Sequence, residues 1–232
     1  MTHQTLIEIR QITRTDLISN RIILHPTTLR INDGDRIGLV GPSGSGKSTL
    51  LRSLALLDPI ESGNHLFLGE EVPSESIPKF RRFATYLPQH AITFEGTVRD
   101  NLTLPFSFGV TTESYSEDGA LMYLRKFGRD STFLDLIATS LSGGEQQLMA
   151  FIRCLLINPN IILFDEPTAS LDSETESQFE NVLEDWFRNE EERQMKPRAF
   201  IWSSHDVSQL DRLANRILTM NEGKIKEEGV AT

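Results

Sequence analysis

Hydrophobic and polar positions alternate along the first forty residues of the chain. The alternation runs through LIEIRQI, RIILHPTTLRI and RIGLV, and turn residues such as NDGD separate these runs. Alternation with a period of two is the pattern of a strand with one buried face. The chain is therefore predicted to begin with a region rich in β-sheet.

The pattern becomes helical after Lys47, in STLLRSLALL, and returns to that of a strand in HLFLGEEV, after Gly63. Residues 95–157 are mostly helical in pattern, with TVRDNLTL, GALMYLRKF and GEQQLMAFIRCLL separated by Pro, Gly and Ser/Thr breaks. An inserted helical subdomain is predicted there.

Strand and helix patterns alternate in the last third of the chain. Strands are predicted at 161–164, 199–203 and 216–220, and helices at 173–187 and near 206–214. Such alternation predicts a parallel sheet. Ser173 and Glu176 have the spacing of a capping box, and the apolar stripe of this helix is predicted to be core. The stripe consists of Phe179, Val182, Leu183, Trp186 and Phe187.

Charge and composition narrow the classes of function. The 232 residues include 33 acidic and 23 basic ones, a net charge of −10, so nucleic acid is not an expected partner, although single nucleotides are not excluded. The one cysteine, Cys154, cannot form an internal disulfide, and the polar THQT after Met1 is unlike a signal peptide. No apolar run approaches the roughly 18–20 residues that span a bilayer. We expect a cytoplasmic chain, with any membrane-spanning part supplied by another chain.

The segment GPSGSGKST follows the predicted strand RIGLV and precedes a helical pattern, which is the context that G-x-x-x-x-G-K-[ST] requires. Its glycines would let the backbone wrap around the β- and γ-phosphates, Lys47 would reach them as a cation, and Ser48 would place its hydroxyl on Mg²⁺. The alternative is a turn with a surface lysine, but a chance match is on the order of 1%. The candidate residues are Gly41, Pro42, Ser43, Gly44, Ser45, Gly46, Lys47, Ser48 and Thr49.

The segment IILFDEPTASLD is an apolar strand that ends in two carboxylates, where ligands bind in parallel sheets. Because neighbouring side chains on a strand point in opposite directions, Asp165 and Glu166 are expected to have different tasks. Asp165 suits Mg²⁺, directly or through water, and Glu166 would polarise the attacking water as a general base. On its own, a strand that ends in Asp-Glu is more often a solvated strand end. Together with the phosphate loop, the pair specifically indicates a nucleotide site.

A third segment, LSGGEQQ, places a Ser-Gly-Gly turn before an apolar helical run. Such a turn presents free backbone N–H groups and a positive dipole end, which bind phosphate.

The three segments, Gly41–Thr49, Leu141–Gln147 and Ile161–Asp172, in this order, resemble the nucleotide-binding domain of ABC-type ATPases. The resemblance covers essentially the whole chain. It implies an α/β fold: a RecA-like P-loop NTPase core with a parallel sheet, an N-terminal antiparallel β subdomain and an inserted helical subdomain. The implied single domain, 1–232, divides into a core of 1–88 and 159–232 and a helical subdomain of about 89–158.

The resemblance also implies roles for single residues. Gln89, in YLPQ, would ligate Mg²⁺ and sense a membrane partner, and His205, in IWSSHD, would hydrogen-bond the γ-phosphate and the catalytic water. Taken alone, these two residues are more often a loop glutamine and a surface histidine. The turn would bind the ATP of a second copy, in a head-to-tail, ATP-dependent homodimer, where Asp172 would also contact the opposite subunit. The turn residues are Ser142, Gly143, Gly144 and Glu145.

The chain departs from the family pattern in three places. No Phe, Tyr or Trp precedes Phe67, so the usual adenine-stacking residue is missing. Residues 13–17 occupy about its place, where Arg14 or an aliphatic face is the candidate substitute, and weak base selectivity is expected. Glu145 stands where glutamine is commoner, and Leu148 where arginine often stands.

The resemblance implies an ATPase subunit, peripheral on the inner face of the cell membrane, that drives an integral membrane transporter subunit. TVRDNLTLPFSF is similar to small bacterial iron exporters, while phosphate and amino-acid importers share much of the pattern. Phe94, Phe106 and Phe108 lie near the family's docking region, although each alone more simply packs the helical subdomain. Alternatives are a non-transport ABC ATPase of DNA repair or translation and a regulatory protein without turnover. The substrate and the direction of transport stay open.

Overall fold

A computed structural model describes residues 4–16, 18–110, 114–189 and 196–228. The chain forms two compact units. The first unit comprises residues 1–86, 160–166 and 196–232, and the second comprises 87–159 and 167–195.

The described strands and helices follow one another along the chain. They are β1 (Thr5–Thr15), β2 (Ile22–Asn32), β3 (Arg36–Val40), α1 (Lys47–Leu54), β4 (Ser62–Phe67), β5 (Glu70–Glu71), α2 (Ile77–Phe83), β6 (Ala84–Leu87), α3 (Val98–Thr103), α4 (Glu117–Lys126), α5 (Gly143–Leu156), β7 (Ile161–Asp165), α6 (Ser173–Arg188), β8 (Ala199–Ser203), α7 (Val207–Leu213), β9 (Arg216–Asn221) and β10 (Lys224–Glu228).

The strands form two sheets. One has the order β2-β1-β4-β5 and is antiparallel, and the other has the order β10-β9-β3-β8-β7-β6. In the second sheet β9, β3, β8 and β7 pair in parallel, and β10 pairs antiparallel with β9. Strands β7 and β8 are buried along their whole length, as expected for parallel strands covered on both faces. The antiparallel and parallel sheets match the predicted fold class.

A continuous hydrophobic cluster in the first unit joins both sheets to α1. From α1 it includes Leu50, Leu51 and Leu54, none of which is exposed to solvent. Burying side chains of this size stabilises the fold by about 1.5–3 kcal/mol each. The cluster therefore fixes the start of α1 relative to the ends of β3 and β7.

Most predicted elements agree with the structure to within a few residues. The predicted strand at 199–203 coincides with β8, and the strand predicted at 161–164 is one residue longer. Helix α1 ends at Leu54, earlier than its apolar run suggests, because Leu56 adopts a left-handed conformation with φ of 53°. Helix α2 was not predicted from the pattern.

The start of α6 corrects one prediction. Its N-cap is Asp172, whose carboxylate accepts a hydrogen bond from the Thr175 N–H at 2.9 Å. The predicted capping box of Ser173 and Glu176 is therefore wrong, because the extended backbone at Asp172 already supplies the cap and the helix begins at Ser173. The hydrogen bond from Thr175 also holds the pKa of the Asp172 carboxyl below its usual value. The predicted apolar stripe of α6 is buried.

Aromatic rings join two helices of the second unit. Phe179 of α6 stacks on Phe151 of α5, with ring centroids 3.7 Å apart. This packing groups 167–195 with the second unit, whereas the sequence places these residues in the core; the predicted division into core and helical subdomain stays a prediction. No helix in the described part of the chain is long and apolar enough to cross a bilayer.

The three phenylalanines of the predicted docking region behave differently. Phe94 and Phe108 are 46% and 56% exposed. Phe106 instead packs edge-on against Tyr115, with ring centroids 5.9 Å apart. The packing alternative therefore describes Phe106. The other two rings are partly exposed at the surface of the second unit, although the Arg153 guanidinium lies 5.5 Å from the centre of the Phe94 ring.

Candidate active site

The loop between β3 and α1 requires glycine at three positions, for conformation or for space. Gly44 and Gly46 have φ values of 74° and 108°, in the left-handed region that favours glycine. A Cβ atom on Gly41 would lie 2.1 Å from the carbonyl oxygen of Met220, and one on Gly46 would lie 2.8 Å from the Met220 Cε. The loop is thus held closely against the end of β9.

Two buried polar groups lie at the end of this loop and the start of α1. The Lys47 side chain is 5% exposed, and its Nζ donates to the Gly41 carbonyl oxygen at 2.7 Å. The Ser45 hydroxyl is buried and has no hydrogen-bond partner among the described residues. Buried hydroxyls normally have partners. A cation, an unsatisfied hydroxyl and glycine backbone at the start of a helix therefore fit a bound triphosphate.

Asp165, the last residue of β7, is 5% exposed and accepts hydrogen bonds from both sides. The Tyr86 hydroxyl donates to Oδ2 at 2.8 Å, and the Ser203 hydroxyl donates to Oδ1 at 3.1 Å. Burial raises the pKa of the Tyr86 phenol, and the charge of Asp165 raises it further. Tyr86 therefore stays protonated and remains a donor.

Glu166 follows β7 and is not part of the strand. Its φ is 47°, and its N–H donates to the Ser203 hydroxyl at 3.0 Å. Its Oε1 lies 2.7 Å from His205 Nε2 and 3.4 Å from Lys47 Nζ. Different tasks for Asp165 and Glu166 were predicted from strand alternation. That reason is wrong, because the strand ends at Asp165 and a left-handed turn directs Glu166.

The structure thus brings four predicted residues of the first unit together: Lys47, Asp165, Glu166 and His205. Because a carboxylate can only accept, the Nε2 of His205 carries the hydrogen that faces Glu166. The His205 side chain is 52% exposed, so its ring remains accessible to a ligand. The arrangement can hold an anion near Lys47 and accept a proton at Glu166 beside it.

Magnesium is the metal that the resemblance implies. No cluster of three or more His, Cys, Asp or Glu side chains suited to a metal occurs in the described part of the chain. Mg²⁺ commonly takes only one or two carboxylates and completes its shell with water and substrate phosphates. Asp165 and the exposed hydroxyl of Ser48 fit such a donor set.

In the second unit, Ser142 is the N-cap of α5 and forms a capping box with Glu145. The Glu145 carboxylate accepts from the Ser142 N–H at 3.1 Å and from its hydroxyl at 3.0 Å. The guanidinium of Arg129 lies 3.1 Å from this carboxylate. These residues and Asp172 line one cavity of about 410 Å³. The Ser-Gly-Gly turn therefore opens into a cavity of the second unit.

Gln89 lies in the second unit, exposed, in a bend after β6. No separate role was predicted for Gln147, the last residue of LSGGEQQ, which is 1% exposed and donates to the Pro88 carbonyl oxygen at 3.1 Å. Tyr86 and Ser203 were also missed. A hydroxyl near a strand end has no distinctive pattern, so only the strand order reveals these two residues.

Comparison with known proteins identifies the family. The family model described as ABC transporter matches residues 24–169, more than half of the chain. The chain belongs to the ABC transporter family. The predicted family resemblance is thereby confirmed, whereas the iron-exporter type is not.

Two relatives share about a third of their aligned residues with this ABC family chain. The chain is 33% identical over 217 residues to the sulfate/thiosulfate import ATP-binding protein CysA of Mesorhizobium japonicum. The alignment covers 90% of the chain and 59% of CysA. The chain is also 31% identical over 230 residues to the spermidine/putrescine import ATP-binding protein PotA of Mesoplasma florum. That alignment covers 97% of the chain and 61% of PotA. The chain thus spans about three fifths of the length of these relatives.

A solved ABC cassette has the same fold. The dimeric, post-hydrolysis structure of the ATP-binding cassette MJ0796 bound to ADP and Pi superimposes with a TM-score of 0.84 and 26% identity, covering 98% of this chain and 100% of that one. The predicted α/β fold of a P-loop NTPase is confirmed.

Proposed function

We propose that this chain binds and hydrolyses ATP as the nucleotide-binding subunit of an ABC transporter. One observation carries the proposal. The Glu166 carboxylate lies 3.4 Å from Lys47 Nζ and 2.7 Å from His205 Nε2, beside a loop in which Gly41 and Gly46 leave no room for a Cβ atom. A cation for phosphate thus stands next to a carboxylate that can accept a proton.

Substrate binding falls to the phosphate loop. Its backbone N–H groups and Lys47 would hold the β- and γ-phosphates, and the unsatisfied Ser45 hydroxyl would gain a partner. When bound, Mg²⁺ would neutralise charge that develops on the phosphate oxygens. Ser48 and Asp165 would hold it, directly or through water, and Gln89 is a further candidate ligand.

Hydrolysis would use Glu166 as the general base. The oxygen of water attacks the γ-phosphorus, the bond to the bridging oxygen breaks, ADP leaves with the electron pair, and the proton of the water passes to Glu166. The N–H of His205 orients the carboxylate through the 2.7 Å contact.

The second unit would serve the ATP of another copy of the chain. Ser142, Gly143, Gly144, Glu145 and Asp172 would contact that nucleotide or its subunit in a head-to-tail homodimer. Support comes from the shared cavity of about 410 Å³ that these residues line. The dimeric form of MJ0796 supports a homodimer.

Transport would occur through a separate integral membrane subunit, with this chain on the inner face of the membrane. The exposed rings of Phe94 and Phe108 are candidates for contacting it. CysA and PotA are named as importers, which favours import over the metal-export hypothesis. Identifying the membrane protein that co-purifies with the chain would decide both the substrate and the direction.

The exchange of Glu166 for glutamine tests the hydrolytic role. Glu166→Gln keeps the size of the side chain but cannot accept the proton, so we expect turnover to fall about 100-fold or more while ATP binding is retained. The variant should accumulate an ATP-bound dimer in size-exclusion chromatography with Mg-ATP. The control is Glu70→Gln, at an exposed position in β5. Hydrolysis by Glu166→Gln at the rate of this control would remove Glu166 from its role.

A further inference from the structure

Ser203 lies opposite Asp165 in the pairing of β8 with β7 and is completely buried. Its hydroxyl makes two hydrogen bonds at once. It donates to Asp165 Oδ1 at 3.1 Å and accepts from the Glu166 N–H at 3.0 Å. One buried atom therefore touches the side chain of the proposed metal ligand and the backbone of the proposed general base.

Tyr86 contacts the same carboxylate from the other side. The sheet order places β7 between β8 and β6, so Ser203 reaches Asp165 from one neighbouring strand and Tyr86 from the other. The two donors differ in one respect: both donate to the carboxylate of Asp165, and the Ser203 hydroxyl also accepts from the N–H of the next residue, Glu166.

Glu166 needs such support. A residue other than glycine is unfavourable at φ of 47°, and strained backbone of this kind persists only when its surroundings hold it in place. The Ser203 hydroxyl is the side-chain acceptor for the Glu166 N–H. Loss of that acceptor would remove one of the hydrogen bonds that hold the turn, which directs the Glu166 side chain towards Lys47 and His205.

We propose that Ser203 is a positioning residue, which couples the placement of the carboxylate for Mg²⁺ to the placement of the hydrolytic carboxylate, whereas Tyr86 positions the former alone. The proposal rests on the function proposed above for Asp165 and Glu166. Ser203 itself contacts neither ATP nor water in the reaction.

The test compares Ser203→Ala with Tyr86→Phe, and uses Ser53→Ala as the matched control. Ser53, in α1, is as completely buried as Ser203, but its hydroxyl has no hydrogen-bond partner among the described residues. We expect Ser203→Ala to lower kcat about 10- to 100-fold with a change of less than about threefold in the KM for ATP, because it disturbs alignment rather than ground-state binding. Tyr86→Phe should lower kcat less than about threefold, and Ser53→Ala should resemble the wild type.

A binding measurement separates positioning from general damage. In the Glu166→Gln background, a fluorescent ATP analogue is titrated at increasing Mg²⁺. We expect Ser203→Ala and Tyr86→Phe each to raise the Mg²⁺ concentration for half-maximal binding about three- to tenfold, since a charge-assisted hydrogen bond to Asp165 is lost. Thermal unfolding of each variant is recorded in parallel. If the alanine variant does not fold, Ser203→Cys, which keeps the volume but has only a weak donor and acceptor, replaces it.

The outcomes distinguish this proposal from the proposed function. If Glu166→Gln stops turnover and Ser203→Ala hydrolyses ATP like Ser53→Ala, the positioning role is wrong and the hydrolytic role stands. Equal losses of kcat in Ser203→Ala and Tyr86→Phe would also overturn the coupling to Glu166. If Glu166→Gln itself hydrolyses ATP normally, the proposed function fails first.

Discussion

Arg14 lies near the place where the family carries its adenine-stacking residue, but its guanidinium pairs with the carboxylate of Glu61. The side chain is 14% exposed, and Nη1 lies 3.4 Å from Glu61. Stacking on a base needs an open guanidinium face, so the geometry disfavours Arg14 for this task. The same hairpin offers aliphatic surface, because Ile18 and Ile22 are 98% and 50% exposed. Leu17, which was also considered, lies outside the described residues.

An aliphatic surface contacts any base and reads no hydrogen-bonding edge, so we expect poor discrimination between ATP and GTP. The measurement is competition of each nucleotide against a fluorescent ATP analogue in Glu166→Gln, with Mg²⁺ present and inorganic triphosphate as the control for phosphate contacts. We expect the two affinities to differ less than about tenfold. A preference for ATP above about a hundredfold, roughly 2.7 kcal/mol, would reveal a base-reading contact that this hairpin does not show.

For single residues, the reactive groups could be predicted from the sequence, whereas the residues and turns that position them could not. Lys47 and Asp165 could be predicted because phosphate and metal chemistry require those residue types at fixed spacing. The left-handed turn at Glu166 could not, since no side-chain preference of glutamate favours it. The hydroxyls of Tyr86 and Ser203 matter only because β6 and β8 flank β7, and no local pattern encodes that order.

Among the helices, α5 has a carboxylate, that of Glu145, in its first turn, close to the place where a phosphate would bind. Glu145 caps the Ser142 end of the helix, where the dipole is positive, and Arg129 pairs with its carboxylate at 3.1 Å. Arg129 is itself placed by the left-handed turn at Gly128, and its guanidinium lies 5.5 Å from the centre of the Phe133 ring. Were the turn to receive a phosphate, Glu145 would repel it and Arg129 would offset that repulsion.

We therefore expect opposite effects from the two partners on ATP-dependent dimerisation in the Glu166→Gln background. Glu145→Gln removes the repelling charge and should lower the ATP concentration for half-maximal dimer about three- to tenfold, whereas Arg129→Ala should raise it by a similar factor. In the double variant, the effect of Arg129→Ala should shrink, since its charge no longer offsets Glu145. Arg125→Ala, on the exposed end of α4, is the control. Equal effects of Arg129→Ala with and without Glu145 would contradict this account.

Elements with one strong pattern were predicted most closely. Strands β7 and β8 are uninterrupted apolar runs that are buried throughout, and α6 presents one apolar stripe, so burial alone determines their type. Caps and short elements depend on single contacts instead. The carboxylate of Asp172, one residue before the predicted cap, reaches the Thr175 N–H, and the seven residues of α2 are too short to show a period.

For the molecule as a whole, charge bears on association. Each copy carries a formal net charge of −10, so two copies repel one another at long range. A dimer must therefore gain its stability from local contacts. In the proposed head-to-tail arrangement, nucleotide bound to the loop of one copy meets the Ser-Gly-Gly turn of the other, which makes association depend on ATP. The same symmetry presents two equivalent sites.

Cross-linking between copies tests this arrangement. Ser43, in the phosphate loop, and Ser142, at the start of α5, are both exposed and are replaced by cysteine in the Glu166→Gln background. Cys154 can remain, because it is buried and burial raises the pKa of its thiol to about 12, which keeps the thiol protonated and unreactive. With a short thiol cross-linker, we expect a covalent dimer in Mg-ATP and little without nucleotide, since a two-fold axis presents the Ser43–Ser142 pair twice.

Each single cysteine variant is the control for non-specific linkage. A link within one chain, at unchanged monomer mass, would place both segments on the same nucleotide, and an absence of dimer with ATP bound would show that the turn does not serve a second copy.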